Sequence, residues 1–197
     1  ADTKITDLRV IQVLPKSTAP PNVPRIGVAA QTNARSVLGT VPVEADGSAY
    51  FEIPPGKAVY FQALDAQGMA VQSMRSATYA HPGERLTCQG CHEHKAQPPA
   101  HEGLPLALRR GPSQIRPDVE GSRPYSYVRL VQPVLDRHCV ACHRDKKALD
   151  LSGTIEGKNG WSRSYTNLSK YTFYFDVTNG SIKGGVHGGS RTPAGQF

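Results

Sequence analysis

Two stretches of this 197-residue chain carry residue types that can do chemistry: "LTCQGCHEHK", residues 86–95, and "RHCVACHRDK", residues 137–146. All four cysteines lie in these stretches, as Cys88, Cys91, Cys139 and Cys142, and each pair is closed by a histidine, His92 or His143. C-x-x-C-H is the spacing of covalent c-type haem attachment. Residues three apart on a helical turn share one face, so both thiols can reach the two vinyl groups along one edge of a porphyrin. The histidine that follows then offers its imidazole to the iron. Cys88, Cys91, Cys139 and Cys142 are therefore expected to bind the cofactor and His92 and His143 to be proximal iron ligands, with two covalently bound haem c per chain.

Rival uses of the same residues fit less well. A zinc site of two C-x-x-C knuckles separates them by roughly 15–20 residues, whereas 47 residues lie between Cys91 and Cys139, and it leaves both histidines without a role. A thioredoxin-like pair needs a βαβ setting, which the sequence lacks. Disulfides within such tight loops would be strained.

A second strong axial ligand suits a haem to electron transfer, and an open position suits it to chemistry. The histidines that could supply that ligand are His187, His138, His101 and His81; His81 and His94 lie too near the first motif to circle its own haem comfortably, and His101 lies a plausible loop length away. His187 is preferred for the second haem, because "GGVHGGSR" lets backbone approach a flat ring. His138 precedes Cys139 directly and could cap a neighbouring haem rather than its own. Met69 and Met74 fall in the strand-rich part and read as core filler.

The elements that must position these residues are mostly strands and loops. With 19 Gly and 16 Pro in 197 residues, the chain has little room for uninterrupted helix. "ITDLRVIQVL", from Ile5 to Leu14, reads as a strand stopped by Pro15. After a Pro-rich link come short β runs separated by Asp46-Gly47, Pro54-Pro55-Gly56 and Ala66-Gln67-Gly68, with Asp-Gly a strong hairpin signal. Residues 1–80 are expected to form a β-rich, sandwich-like domain. Residues 81–197 are expected to form a loop-rich, partly helical c-type cytochrome region, with the first haem around 86–125 and the second around 126–197. Residues 96–124 read as an irregular wrap ordered by haem. "YSYVRLVQPVLDRHCVACH" reads as a helix with Val128, Val131, Leu135 and Cys139 on or near one face, kinked or shortened at Pro133. "YTFYFDV" reads as a strand.

The net charge of +7, from 23 Lys+Arg against 16 Asp+Glu, points toward acidic partners or anionic groups. The longest basic runs are Arg109-Arg110 and Lys146-Lys147, with no aromatic interleaving, which argues against nucleic acid. Haem propionates offer a closer use for the arginines, because two haems add roughly four negative charges. Arg109, Arg110, Arg116, Arg123, Arg129 and Arg144 are the expected partners. No stretch approaches the roughly 20 apolar residues of a membrane span. No signal peptide is visible, and the opening "ADTK" suits a terminus left by cleavage.

The run from Val41 to Glu93, "VPVEADGSAYFEIPPGKAVYFQALDAQGMAVQSMRSATYAHPGERLTCQGCHE", resembles the haem-bearing middle domain of the hydrazine synthase alpha subunit family. "VQPVLDRHCVACH", "WSRSYTNL" and "GGSRTPAGQF" resemble the haem domain that follows it. The likeness runs from about residue 36 to the end. It implies one haem per module and a periplasmic or extracellular protein. In that family the first haem takes a tyrosine ligand from just beyond its motif. Here no tyrosine stands between His92 and Tyr125, so His92 is expected to keep the proximal role. The expected function is electron transfer by an electron carrier rather than an enzyme, to redox partner proteins or to further copies of itself in a homo-oligomer or filament. The alternative is a haem enzyme acting on a small nitrogen or oxygen species at an open axial site.

Overall fold

The computed structural model describes residues 3–20, 23, 26, 33–74, 76–89, 103–117, 124–146, 148–158, 160–171, 173–178 and 181–186. Cys91, His92, His94, His101, Arg123 and His187 lie outside them. The chain divides into two compact units, Ala1–Pro15 with Ala34–Pro124, and Lys16–Asn33 with Tyr125–Phe197. The fold class is as expected: a β-rich, sandwich-like N-terminal part, then a loop-rich and partly helical region.

In the first unit, β1 (Asp7–Val13), β2 (Arg35–Pro42), β3 (Val59–Leu64) and β4 (Ala70–Ser73) form an antiparallel sheet in the order β2-β1-β3-β4. β1 is central because its apolar residues serve both faces, and Val10 and Ile11 are both buried. Val10, Leu38, Val41 and Val59 make the core, with Leu8, Phe51, Ile53, Phe61 and Ile115 packed against it. Tyr60, Gln62 and Leu64 alternate with Val59 and Phe61 along β3 and are also buried, so both faces of the sheet are covered.

The turn residues act as their chemistry dictates, with one difference of connectivity. Around Ala66-Gln67-Gly68 the Asp65 carboxylate accepts from the amides of Gln67 and Met69, both at 2.9 Å, and closes the β3–β4 hairpin. Asp46-Gly47 also turns the chain, with the Gly47 amide donating to the Glu44 carbonyl at 2.9 Å. The segment after it does not return along β2. Phe51 pairs instead with Ser113, in parallel. Met69 is not core filler but 63% exposed on the hairpin turn.

The wrap expected over 96–124 is ordered by protein wherever it is described. Arg116 exchanges backbone hydrogen bonds with Thr40 at 2.8 and 2.9 Å, and Ser113 bonds to the backbone at Tyr50 and Glu52. Arg110 pairs with Glu44 at 2.8 Å and Arg116 with Asp7 at 3.0 Å, so these two guanidiniums already have carboxylate partners within the sheet unit.

Asp46 tethers the start of this segment. Its carboxylate accepts from the Leu106 amide at 2.8 Å and the Ser48 hydroxyl at 2.6 Å, and these bonds hold its pKa down at about 2. A carboxyl whose folded pKa lies below its unfolded value stabilises the fold above that unfolded value, and the contribution is lost as pH falls through the folded one. The tether should therefore hold above about pH 4 and release as pH approaches 2. An Asp46→Ala variant is expected to lose, at neutral pH, the protection of the Leu106 and Ala107 amides against exchange that the wild type keeps there. Equal protection in the two proteins would rule the tether out.

In the second unit the helix expected over 125–143 is three short ones: α1 (Tyr127–Leu130), α2 (Gln132–His138) and α3 (Val140–Asp145). Pro133 stands in the first turn of α2, where a missing N–H costs no helical bond, so it restarts the helix rather than kinking it. β5 (Ile155–Glu156) pairs with β6 (Trp161–Ser162), and α4 (Arg163–Leu168) follows directly. Ser162 caps α4 by accepting from the Tyr165 amide at 3.2 Å. The expected final strand is β7 (Phe173–Thr178), and it pairs antiparallel with the Gly-containing β8 (Ser181–Val186).

The interior of this unit is polar. Among the described residues Gln132, Ser162 and Ser164 are buried, and Leu151 is the one buried apolar side chain. Of the anticipated apolar face, Val131, Leu135 and Cys139 are half-buried and Val128 stays outside. Val128 is 57% exposed, and Val134, Ile155 and Tyr125 are each more than half exposed.

Candidate cofactor-attachment sites

The second motif is described in full. Cys139 stands at the N-cap of α3, and Cys142 and His143 lie within the helix. The His143 amide donates to the Cys139 carbonyl at 3.0 Å, and the Lys146 amide to the Cys142 carbonyl at 3.1 Å. One helical turn thus carries both sulfurs three residues apart. Both are free thiols, with Cys142 exposed and Cys139 half-buried.

The imidazole of His143 has a fixed partner. Its Nδ1 lies 2.8 Å from the Leu149 carbonyl oxygen. A carbonyl only accepts, so Nδ1 carries the proton and donates, which leaves the Nε2 lone pair free. An outer-shell hydrogen bond of this kind sets the tautomer and ring orientation of a metal-binding histidine.

This donor set fits a c-type haem. It offers two accessible thiols at the required separation and an imidazole already in the ligating tautomer. The same unit exposes Val128 on α1 and Val134 on α2 while its interior is held by hydrogen bonds. Large apolar side chains exposed in numbers commonly mark a surface that something else covers.

At the first motif, Cys88 is exposed and free in the sheet unit. Cys91 and His92 lie outside the described residues. Of the distal candidates, His81 is exposed on the turn before the motif. Its amide donates to the Glu84 carboxylate at 2.7 Å, and its ring meets Tyr79 edge-on with centroids 5.2 Å apart. His138 is exposed at the C-terminal end of α2. His101 and His187 lie outside the described residues.

Sequence reading missed the surroundings of His143. Gln132 and Asn167 hold the carbonyls of Leu151 and Asp150, next to Leu149, with Ser162 and Ser164 behind Gln132, and polar residues without periodicity gave no signal for them. A cavity of about 550 Å³ also opens in this unit, lined by Asp150, Glu156, Lys158, Trp161, Arg163 and Asn167 among others. Arg163 joins Asp150, at 3.0 Å, to Glu156, and these contacts raise its pKa and lower those of both carboxyls. All three side chains are 40–50% exposed, so solvent screens the pairs and they add little to stability.

Residues 3–93 match the family model described as the hydrazine synthase alpha subunit middle domain. That span takes in β1–β4 and the whole first motif, so the likeness begins with the first strand rather than near residue 36. The chain is 24% identical to the hydrazine synthase subunit alpha of Kuenenia stuttgartiensis over 190 aligned residues, covering 68% of this chain and 24% of that one. It therefore spans about a quarter of the length of this curated relative. The solved structure of Kuenenia stuttgartiensis hydrazine synthase is similar in fold, with a TM-score of 0.63 and 22% identity, covering 83% of this chain and 29% of that one. No helix among the described residues is long and apolar enough to cross a membrane.

Proposed function

We propose that this chain is an exported dihaem c-type cytochrome that transfers electrons. The observation that carries the reading is the environment of His143: Nδ1 donates to the Leu149 carbonyl, Nε2 is free, and two free thiols stand one helical turn apart beside it. The first motif repeats the same residue types at Cys88, Cys91 and His92.

Each thiol would add across one vinyl group, the new S–C bond forming at one carbon while the thiol proton ends on the other. The bound haems supply a one-electron couple. The chain's own residues fix the rings covalently, orient the proximal imidazoles and keep water from part of the ring surface. The distal ligands are proposed to come from among His81, His101, His138 and His187. Attachment of this kind suits a periplasmic or extracellular protein, and the electron partners are other redox proteins or further copies of this chain in an oligomer or filament.

One observation favours a second reading. The first motif lies within a span matching a domain of an enzyme subunit, so the haem there would keep an open axial site and act on a small nitrogen or oxygen species. A pyridine haemochrome assay against protein mass tests both readings, with two covalent haems per chain expected. Fewer than two would overturn the dihaem assignment. Carbon monoxide added to the reduced protein then separates the alternatives, because ready binding means that at least one iron lacks a sixth protein ligand.

A further inference from the structure

The Leu149 carbonyl that orients His143 belongs to a segment whose next two carbonyls are also held by side chains. The Asp150 carbonyl accepts from Asn167 Nδ2 of α4 at 2.9 Å, and the Leu151 carbonyl accepts from Gln132 Nε2 of α2 at 3.1 Å. Three consecutive carbonyls are thus gripped from α3, α4 and α2 in turn. The segment continues bound to α4, since the Ser164 amide donates to the Ser152 carbonyl at 3.0 Å and the Arg163 amide to the Thr154 carbonyl at 2.9 Å.

Gln132 is built in more firmly than an ordinary surface amide. It is 4% exposed, and its Nε2 also donates to the Asp136 carboxylate at 2.7 Å. Its Oε1 accepts from Ser164 Oγ at 2.5 Å, and Ser164 is fully buried and bonded to Ser162 Oγ at 2.8 Å. A Cβ added at Gly153 would stand 3.1 Å from Gln132 Cγ, so glycine there lets the segment lie against the amide. The Gln132 amide is satisfied on both its oxygen and its nitrogen, and a buried group so held keeps one geometry.

We propose that Gln132 and Asn167 are positioning residues for His143, holding the Leu149–Leu151 segment so that the Leu149 carbonyl stays aligned on Nδ1–H and thereby sets the redox poise of the iron at the second motif. The inference rests on haem attachment at Cys139 and Cys142. A well-aligned Nδ1–H···O=C bond makes the imidazole a stronger donor to the metal, and stronger donation favours the ferric form. Loosening the segment should move the second haem toward the ferrous form and leave the first unaffected.

The test compares wild type with Asn167→Ala, a half-buried site that leaves the core intact, and with Gln132→Met, which keeps the length of the side chain but donates nothing. Lys170→Ala, which removes a contact of Asn167 away from the segment, is the control. Covalent haem per chain is measured by mass, and spectroelectrochemical titration resolves two redox components. The expected result is two haems in every protein, with one component shifted in both variants. The ferrous-to-ferric ratio at fixed potential should rise several-fold, up to about tenfold, which is 59 mV for a one-electron couple. The other component, and both in Lys170→Ala, should stay in place. Intact haem content with neither component moved in Asn167→Ala and Gln132→Met would overturn the positioning role. Absence of covalent haem from the wild type would overturn the attachment reading and the inference with it.

Discussion

A Cys139→Ala/Cys142→Ala protein, produced in a host that attaches haem c, is expected to lose half of its covalent haem and retain the other half at Cys88 and Cys91. The reason is chemical. A thioether needs a thiol, and both thiols of the second motif lie on one turn of α3 with His143, whose Nδ1 is engaged by the Leu149 carbonyl. Alanine is a good helix former, so α3 should persist and the loss should report attachment rather than unfolding. The reciprocal Cys88→Ala/Cys91→Ala protein should keep the second haem, because the two motifs belong to different compact units. Intact mass and haem staining after denaturation read both results. Full haem content in either double variant would show that its motif does not attach the cofactor. His143→Ala sharpens the distinction, since it should preserve the thioether-linked mass while changing the spectrum of one haem, the loss of a ligand without the loss of a bond to carbon.

That separation of roles follows from how much of the molecule could be read from residue types alone. The two motifs were legible because their chemistry is written in adjacent residues, and Ile5–Leu14 was legible because alternation followed by Pro15 has one common structural meaning. Turn chemistry was legible only in part. Asp46-Gly47 turns the chain as expected, yet the segment beyond it pairs with Ser113. That partner is far along the sequence and leaves no periodic trace near Phe51. The run at 103–117 looked irregular because its order comes from backbone bonds to Thr40, Tyr50 and Glu52 and from ion pairs at Arg110 and Arg116. Apolar periodicity told only part of the story in the second unit, where Val131, Leu135 and Cys139 are half-buried. Val128 is exposed, whereas Gln132, a polar residue, is buried because Asp136, Leu151 and Ser164 satisfy its amide completely. Burial there follows hydrogen bonding, which composition does not reveal.

The largest effect on stability should come from a glycine that touches neither motif. Gly39 lies within β2, where φ is +141° and where the register with β1 shifts between Val10 and Ile11. At that point the backbone of Arg116 closes on the sheet. A Cβ at residue 39 would stand 2.0 Å from the Arg116 carbonyl oxygen and 2.7 Å from its carbonyl carbon. Neither atom can rotate away, because Arg116 is held by backbone bonds to Thr40 in both directions. Gly39→Ala must therefore push the 111–116 segment off the sheet or distort β2 itself, and Ile115 would lose its place against the core. Backbone strain and overpacking each cost on the order of 1–3 kcal/mol, so their sum takes a large share of the roughly 5–15 kcal/mol that holds a domain together. Gly47→Ala is the matched control. Its φ of +80° carries a conformational penalty, but no atom lies within 4 Å of the added methyl group, and the cost should stay near 1 kcal/mol. Chemical denaturation of the two variants should separate them by about 2 kcal/mol or more. Equal midpoints would mean that Arg116 does not pack on β2 in solution, and that the segment following the first motif is ordered by something other than the sheet.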